Sequence, residues 1–531
     1  MTDTISAQTH VARGATFIFA QGFLTSVLGV IYVWFLLHTK DIAGTVLFTE
    51  SDFGLFTILS FILSLTSSIG VIALRKASIK YISHYLARGK NGAASSVVSR
   101  VLQVSILTSL TQMALLLVLA GVLSNALNSS ILIFYLLPAA SVFQIFYFQA
   151  QGFLQGLQKM RDRAIIGLIE TGFRYSISVI LVYLGFGVLG IAFGWLSSYL
   201  LSCAISLFVT FRYIKFSAHV HELKSLLIFS FPIYVSMLLT LIVNWVDQIF
   251  VLPFMGIDAL GVYSLAVRAS VVPGLVSTAI GISLFPKLSE LHSKSGVEGL
   301  RGAFEISTRY AALLGFPTSL LVGTLAYPII VLFATVRYAG AVIPFTVMCI
   351  AALPTILGSA INPTFFTLNR TKMASLITVF VILSQVILSY VFLAQLSLGL
   401  VGVAFSRMVA AFIGFALGSY ILWLSLKVGF DREALWKSAV ASIVMVLSIM
   451  GIELLRAITQ PLSYEFLVLR LRLLPIYAAV GVFVYILSLI LLKAVKRRDI
   501  ELLHDYLPSR LQWIADLFGR FTRLRNQKEI M

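Results

Sequence analysis

Apolar runs of membrane-crossing length follow one another along this chain, parted by short polar segments, from residue 14 to residue 493. A helix needs about 20 predominantly apolar residues to cross the hydrocarbon core of a bilayer. On that ruler the sequence predicts fourteen spans, at 14–37, 53–74, 101–123, 131–154, 164–185, 187–211, 225–252, 259–283, 310–334, 341–367, 374–396, 399–426, 438–458 and 473–493. Only Gly185 to Gly190 separates the fifth from the sixth. Pro344, Pro354 and Pro363 fall in the tenth, which is expected to be a moving or broken helix. A turn with Pro253, Gly256 and Asp258 joins the seventh to the eighth.

The pattern is duplicated. DFGLFT at Asp52–Thr57 recurs as ALGVYS at Ala259–Ser264, an offset of 207. QGLQKM at Gln155–Met160 recurs as LNRTKM at Leu368–Met373, offset 213, and LGIAFG at Leu189–Gly194 as VGVAFS at Val401–Ser406, offset 212. An even number of spans separates the copies, so sidedness is kept and the repeat is parallel, about an axis along the membrane normal. The predicted fold is all-α and integral to the membrane. It has two pseudo-symmetric six-helix lobes, 1–224 and 225–437, with a cavity between them, then two further helices in 438–493 and a tail at 494–531. In that tail Leu503, Leu507, Ile514, Phe518 and Phe521 recur at helical spacing beside basic residues, which reads as a helix on the inner leaflet or as a tail kept inside by charge. The segment Lys287 to Arg309 reads as an amphipathic surface linker.

Composition agrees: 59% hydrophobic and 11% charged residues, with mean hydropathy +0.99, exclude a soluble domain, in which roughly a quarter of residues are charged. The net charge of +18 then marks cytoplasmic loops, not a nucleic-acid surface. With Arg456 and Lys493, near the ends of their spans, counted with the adjoining loops, the loops on the side of the N-terminus hold 31 Lys and Arg, those on the other side 5, and the spans 3. Both termini are therefore expected in the cytoplasm, and the first span is expected to be retained, since no cleavage pattern follows a short apolar core. Cys203 and Cys349 lie singly in apolar runs, where neither a disulfide nor a metal pair is expected. His219 and His221 lack a Cys or acidic companion and read as solvated. No P-loop, zinc-protease helix or nucleophile elbow occurs, so an ATPase module is excluded and the chain is not expected to be an enzyme.

Five ionisable residues fall inside the twelve spans of the two lobes, each costly there and so a candidate for function: Glu170, Arg174, Asp247, Arg268 and Arg407. Glu170 and Arg174 are four apart on one helix face, so they neutralise each other or serve as a coupling acid and a substrate ligand. Asp247 follows Asn244 by three residues, again on one face. These oxygens suit a coupling Na⁺ or proton, unless Asp247 pairs with Arg268 on the next helix. Arg268 and Arg407 have no acid within a helical turn and are the better candidates for facing a wet cavity. No bound cofactor is expected beyond such an ion.

The stretch FPIYVSMLLTLIVNWVDQIFVLPFMGIDALGVYSLA from Phe231, closing with Phe285-Pro286, resembles the seventh and eighth helices of oligosaccharide flippases of the multidrug/oligosaccharidyl-lipid/polysaccharide exporter superfamily. SDFGLF at Ser51–Phe56, Arg75-Lys76 with Lys80 and Tyr81, and QAQGFLQGLQKM at Gln149–Met160 extend the resemblance over nearly the whole chain. It implies a flippase that carries a polyprenyl-phosphate-linked oligosaccharide across the cytoplasmic membrane by alternating access. Its partners would be that lipid-linked oligosaccharide, membrane lipids and glycan-assembly enzymes, and no nucleic acid. Arg268 matches the position of an arginine that lines the cationic cavity of the resembling flippases; Arg407 and Arg174 stand on physical grounds alone. The alternatives are a cation-coupled drug or metabolite exporter of the same superfamily and a non-transporting membrane scaffold. Three span arginines against two acids weigh against the exporter.

Overall fold

The computed structural model describes residues 2–40, 44–217, 221–368, 370–427, 429–459 and 473–495. His219 and the predicted amphipathic residues of the tail lie outside these. Helices account for nearly all of the described structure: α1 Thr2–His38, α2 Glu50–Val71, α3 Leu74–Ala87, α4 Asn91–Ala126, α5 Ile131–Gly156, α6 Met160–Leu181, α7 Gly187–Tyr213 and α8 Leu223–Ala269. They continue as α9 Val271–Thr324, α10 Ala326–Ala334, α11 Val342–Leu357, α12 Ile361–Thr367, α13 Thr371–Tyr390, α14 Gly399–Leu426, α15 Arg432–Thr459 and α16 Leu474–Leu491.

Among the described residues eleven helical stretches are long and apolar enough to span. Two of these, Met160–Tyr213 of 54 residues and Leu223–Thr278 of 56, would each be about 80 Å long at 1.5 Å per residue, more than twice the hydrocarbon core. Each is two spans broken at glycine: Gly185 (φ 89°) and Gly187 (φ 52°) in the first, Gly256 (φ 84°, ψ −179°) in the second. Glycine is the residue that takes such angles without a Cβ penalty. A further pair, Ser295–Thr324 and Ala326–Ala334, bends by 63° and makes one broken span. Counted so, the fourteen predicted spans are present. The tenth is interrupted as expected, α11 ending at Leu357 and α12 resuming at Ile361.

Two features differ from the sequence reading. The chain after the second span forms a helix of its own: Ile72 (φ 44°) and Ala73 (φ 53°) turn it through left-handed backbone into α3, which lies across the end of α5. The segment Lys287 to Arg309 departs from a surface linker at its end; from Ser295 on it keeps an exposed face, as an amphipathic segment does. It is helical within α9, broken at Gly296, and Arg309 is buried. Arg309 Nη1 donates to Asp431 Oδ2 at 3.0 Å and Nη2 to the Ala494 carbonyl at 2.7 Å, while Asp431 Oδ1 accepts from the Ala434 amide at the start of α15. Lys437 Nζ reaches the Lys493 carbonyl at 3.0 Å. Cations thus satisfy the carbonyls that follow α16 and fix the two C-terminal helices to α9.

By packing the chain divides into two compact units, Met1–Ser264 with Phe333–Thr335, and Leu265–Leu332 with Val336–Met531. In the first, α5 packs on α2, α3, α4 and α7, and α6 packs on α1 and α7. Ala94, Val97, Val101, Ala150, Phe153 and Leu226 form a core at the α3 end. In the second, α9 packs on α11, α12 and α15, and α14 on α11 and α13. The packing boundary at Ser264 falls later than the repeat boundary at 224/225 because the turn of α8 is clamped to α2. Repeat and packing divide the chain on different grounds.

The clamp is reciprocal. A Cβ on Gly54 would lie 2.1 Å from the Ile257 carbonyl oxygen, and one on Gly261 would lie 2.1 Å from the Glu50 carbonyl oxygen. Gly54 and Gly261 are related by the repeat offset of 207, as are Glu50 and Ile257. The Ser51 hydroxyl donates to Asp258 Oδ1, its own counterpart at the same offset. The SDFGLF motif therefore has a structural purpose: Thr49 and Asp52 form a capping box that starts α2, and Gly54 admits the returning chain.

Candidate functional site

Within the first unit, glycines bring helices close enough to enclose the charges of α6. Gly167 faces the Gln21 side chain of α1, and Gly194 of α7 faces Ser178 and the Arg174 carbonyl. This buries Glu170, whose Oε1 lies 2.9 Å from Arg174 Nε and whose Oε2 accepts from Thr171 Oγ1 at 3.1 Å. The Arg174 guanidinium lies 4.8 Å from the Tyr175 ring centroid, and Tyr175 stacks on Tyr32 of α1 at 4.2 Å and 11°. From the other side Gln144 of α5 donates to Tyr199 Oη of α7 at 3.0 Å, and the Tyr147 and Tyr199 rings are 6.2 Å apart. Both phenols lie within electrostatic reach of Glu170 and Arg174. The result is a buried ion pair in a tyrosine cage, a polar core inside an apolar unit. Such a pair is close to neutral in net stability, yet removing one partner leaves the other uncompensated.

The second polar centre is made by the turn of α8. Tyr263 Oη donates to Asp247 Oδ2 at 3.0 Å, and Ser264 Oγ donates to Gln248 Oε1 at 3.2 Å. Residues sixteen apart on a straight helix would be about 24 Å from each other. Both pairs meet because the chain folds back at Gly256. Asp247 is 0% exposed and its Oδ1 also accepts from the Gln248 amide at 2.9 Å, whereas Asn244 is exposed.

In the second unit Arg268 and Arg407 are half-buried, and neither is without a partner. Arg268 stands at the end of α8, beside an interruption at Ser270. Pro273 lacks the N–H that would bond the Ala269 carbonyl, which accounts for the break. Arg407 lies inside α14, next to Ser406, whose hydroxyl meets Ser389 of α13 at 2.7 Å. The structure thus places Glu170 with Arg174, gives Asp247 a tyrosine, and puts Arg268 and Arg407 in a different unit from both acids.

Sequence reasoning missed the cage of Tyr32, Tyr147, Tyr175 and Tyr199, since aromatics in apolar runs read as core. It also took His221 as solvated. Tyr85 Oη and His221 Nε2 lie 3.0 Å apart, and Arg100 Nε donates to the His221 carbonyl at 2.8 Å, so the loop before α8 is tied to α3 and α4. Among the described residues no group of three His, Cys, Asp or Glu is placed to hold a metal ion.

A family model described as polysaccharide biosynthesis protein matches residues 46–343, more than half of the chain. Among solved structures, a lipid II flippase, MurJ, in an inward closed conformation is similar with a TM-score of 0.69 and 19% identity, covering 89% of this chain and 98% of that one. A multidrug resistance MATE family transporter in an inward-facing conformation is similar at TM-score 0.63 and 18% identity, covering 76% and 95%. A MATE protein in complex with MaL6 follows at 0.54 and 19%, covering 78% and 97%. No curated protein sequence matches. The structural likenesses establish the fold, a multi-pass helical membrane architecture.

Proposed function

This chain belongs to the polysaccharide biosynthesis protein family, and from that premise we propose that it is a flippase translocating a polyprenyl-phosphate-linked oligosaccharide from the cytoplasmic to the outer leaflet of the cell membrane by alternating access. The family match, joined to a fold shared with a lipid II flippase, is the observation that carries this reading. A sugar chain and its phosphate cannot cross hydrocarbon unaided, because their polar groups would lose water with nothing in exchange. Arg268, Arg407 and Arg174 are the proposed phosphate ligands, because a guanidinium offers the planar fork that fits two phosphate oxygens. Asp247 and Glu170 are the proposed coupling acids for Na⁺ or a proton. Asn244 is the remaining candidate for that ion and is the weaker one, being exposed where Asp247 is buried. Both termini face the cytoplasm in this proposal, and glycan-assembly enzymes are its partners.

The test is flipping of a fluorescent lipid-linked oligosaccharide by purified protein in liposomes, scored by the fraction of label that outside reductant reaches. Label in protein-containing liposomes should become accessible well above protein-free ones. Equal accessibility in both would overturn the proposal. The fold likeness to multidrug transporters supports a second reading, a cation-coupled exporter. Gradient-driven efflux of a cationic dye without flipping of the lipid would select it.

A further inference from the structure

At one end of the first unit, where α2 gives way to α3, α5 ends and α6 begins, two guanidiniums share a site with no acid. Gly152 of α5 is the seat of one: a Cβ there would lie 2.6 Å from Arg75 Cγ and 3.2 Å from the Arg75 carbonyl oxygen. Gly156, one turn on, admits Ile79 and Ile82 in the same way, so the QAQGFLQG motif is the bed on which α3 lies. Arg163, in the first turn of α6, is the second cation: the turn after Gly156, closed by the Lys159 amide on the Leu154 carbonyl at 2.8 Å, brings the start of α6 back to the end of α5 on which α3 lies. The Nε of each is buried, and among the described residues neither guanidinium has a hydrogen bond or an ion pair. Lys76, exposed at the rim, adds a third charge acted on by both arginines.

Nearby acids are committed elsewhere. Asp162 accepts from Tyr213 Oη at 3.1 Å, and Glu170 is held by Arg174. Burial and the charge of Arg163 both press the Arg75 pKa below its ordinary value, as burial and both arginines do for Lys76. Half-buried like charges with unsatisfied N–H groups are unfavourable alone and become favourable when an oxyanion joins them. The arrangement is also absent from the repeat: at the offset of 213 that relates Met160 to Met373, Arg163 corresponds to Leu376. A scaffold requirement would be expected in both copies.

We infer that Arg75 and Arg163, with Lys76 at the rim, form a binding site for a phosphate group, separate from Arg268 and Arg407. In the transport reading, on which only this assignment of the source rests, the phosphate belongs to a membrane-anchored lipid that meets the protein at its basic face. The site itself requires no transport. Each guanidinium supplies N–H donors to phosphate oxygens, and Lys76 supplies a point charge.

The test uses the full-length protein in phosphate-free detergent, with farnesyl phosphate, farnesol and inorganic phosphate as probes. Native mass spectrometry should show farnesyl phosphate retained by the unaltered protein and farnesol not. Binding should weaken at least about tenfold in Arg75→Gln with Arg163→Gln, the change equivalent to one charge-assisted hydrogen bond. Retention of inorganic phosphate alone, lost in the same variant, supports the site with a free anion as its ligand. A second measurement needs no variant: modification of Arg75 and Arg163 by phenylglyoxal, read by peptide mass spectrometry, should slow with farnesyl or inorganic phosphate and not with farnesol. Unchanged modification rates with both phosphates, or equal binding by the variant, overturn the inference. Flipping by the unaltered protein is scored separately, so the site and the transport reading fail independently.

Discussion

Removing the carboxylate of Glu170 would leave the Arg174 guanidinium among tyrosine rings with its charge uncompensated. Breaking a buried pair in this way costs about 3–5 kcal/mol, and the partial exposure of Arg174 places the cost at the lower end. Glu170→Gln should therefore lower the thermal midpoint of the purified protein, and Glu170→Gln with Arg174→Met should restore most of it. A double variant as unstable as the single one would mean that the pair is not what Glu170 provides. Arg268 permits a chemical test instead. Lys keeps the charge and loses the planar fork, so Arg268→Lys should flip lipid partially and Arg268→Ala severely less, with both proteins inserted normally. Normal flipping by Arg268→Ala would move the phosphate ligand to Arg407 and Arg174. The charges themselves were legible in the sequence, because an ionisable residue stands out in an apolar run. Their surroundings were not: Tyr32, Tyr147 and Tyr199 come from three other helices, and nothing in their spacing ties them to Glu170.

Among the elements, glycine decides where the chain turns and where it is allowed to approach. Gly256 adopts φ 84°, ψ −179°, a region that only glycine occupies at low cost, so Gly256→Ala should cost about 1–3 kcal/mol through backbone strain, read as a lower thermal midpoint. Gly54→Ala and Gly261→Ala each push a methyl into a backbone carbonyl that cannot swing aside. Both should destabilise by a similar amount, and a neutral effect at either would contradict the close crossing. The spans were readable because length and apolarity suffice to identify them. α3 was not, since its sequence LRKASIKYISHYLA is too short and too charged to pass as a span, and it depends on Gly152 and Gly156 for its bed. Arg75 and Arg163 are far apart in sequence, and only that packing brings them together.

At the scale of the whole molecule the alternation of basic and neutral loops makes the sidedness testable. Both native cysteines are buried, so single cysteines can be introduced over a quiet background. Cysteine at exposed Thr45 or Asn125 should react with an impermeant thiol reagent from outside. Cysteine at exposed Asn91 or Ser295 should react only after the membrane is opened. The opposite labelling would reverse the direction of transport proposed above.

The reciprocal contact of Gly54 with Ile257 and of Gly261 with Glu50 has the form of an isologous interface, in which a patch meets its own copy about a two-fold axis. Ser51 donates to Asp258, its own counterpart, at the centre of that contact. Within the first unit, two segments related by the repeat, the start of α2 and the arm of α8 after Gly256, thus meet as two copies of one patch. A contact of that kind holds without a covalent joint. Severing the chain between α7 and α8 and co-expressing the two parts should give fragments that co-purify from membranes, and Gly261→Leu should separate them. Fragments that fail to co-purify with Gly261 intact would show that the covalent joint, rather than this contact, keeps the arm of α8 on α2.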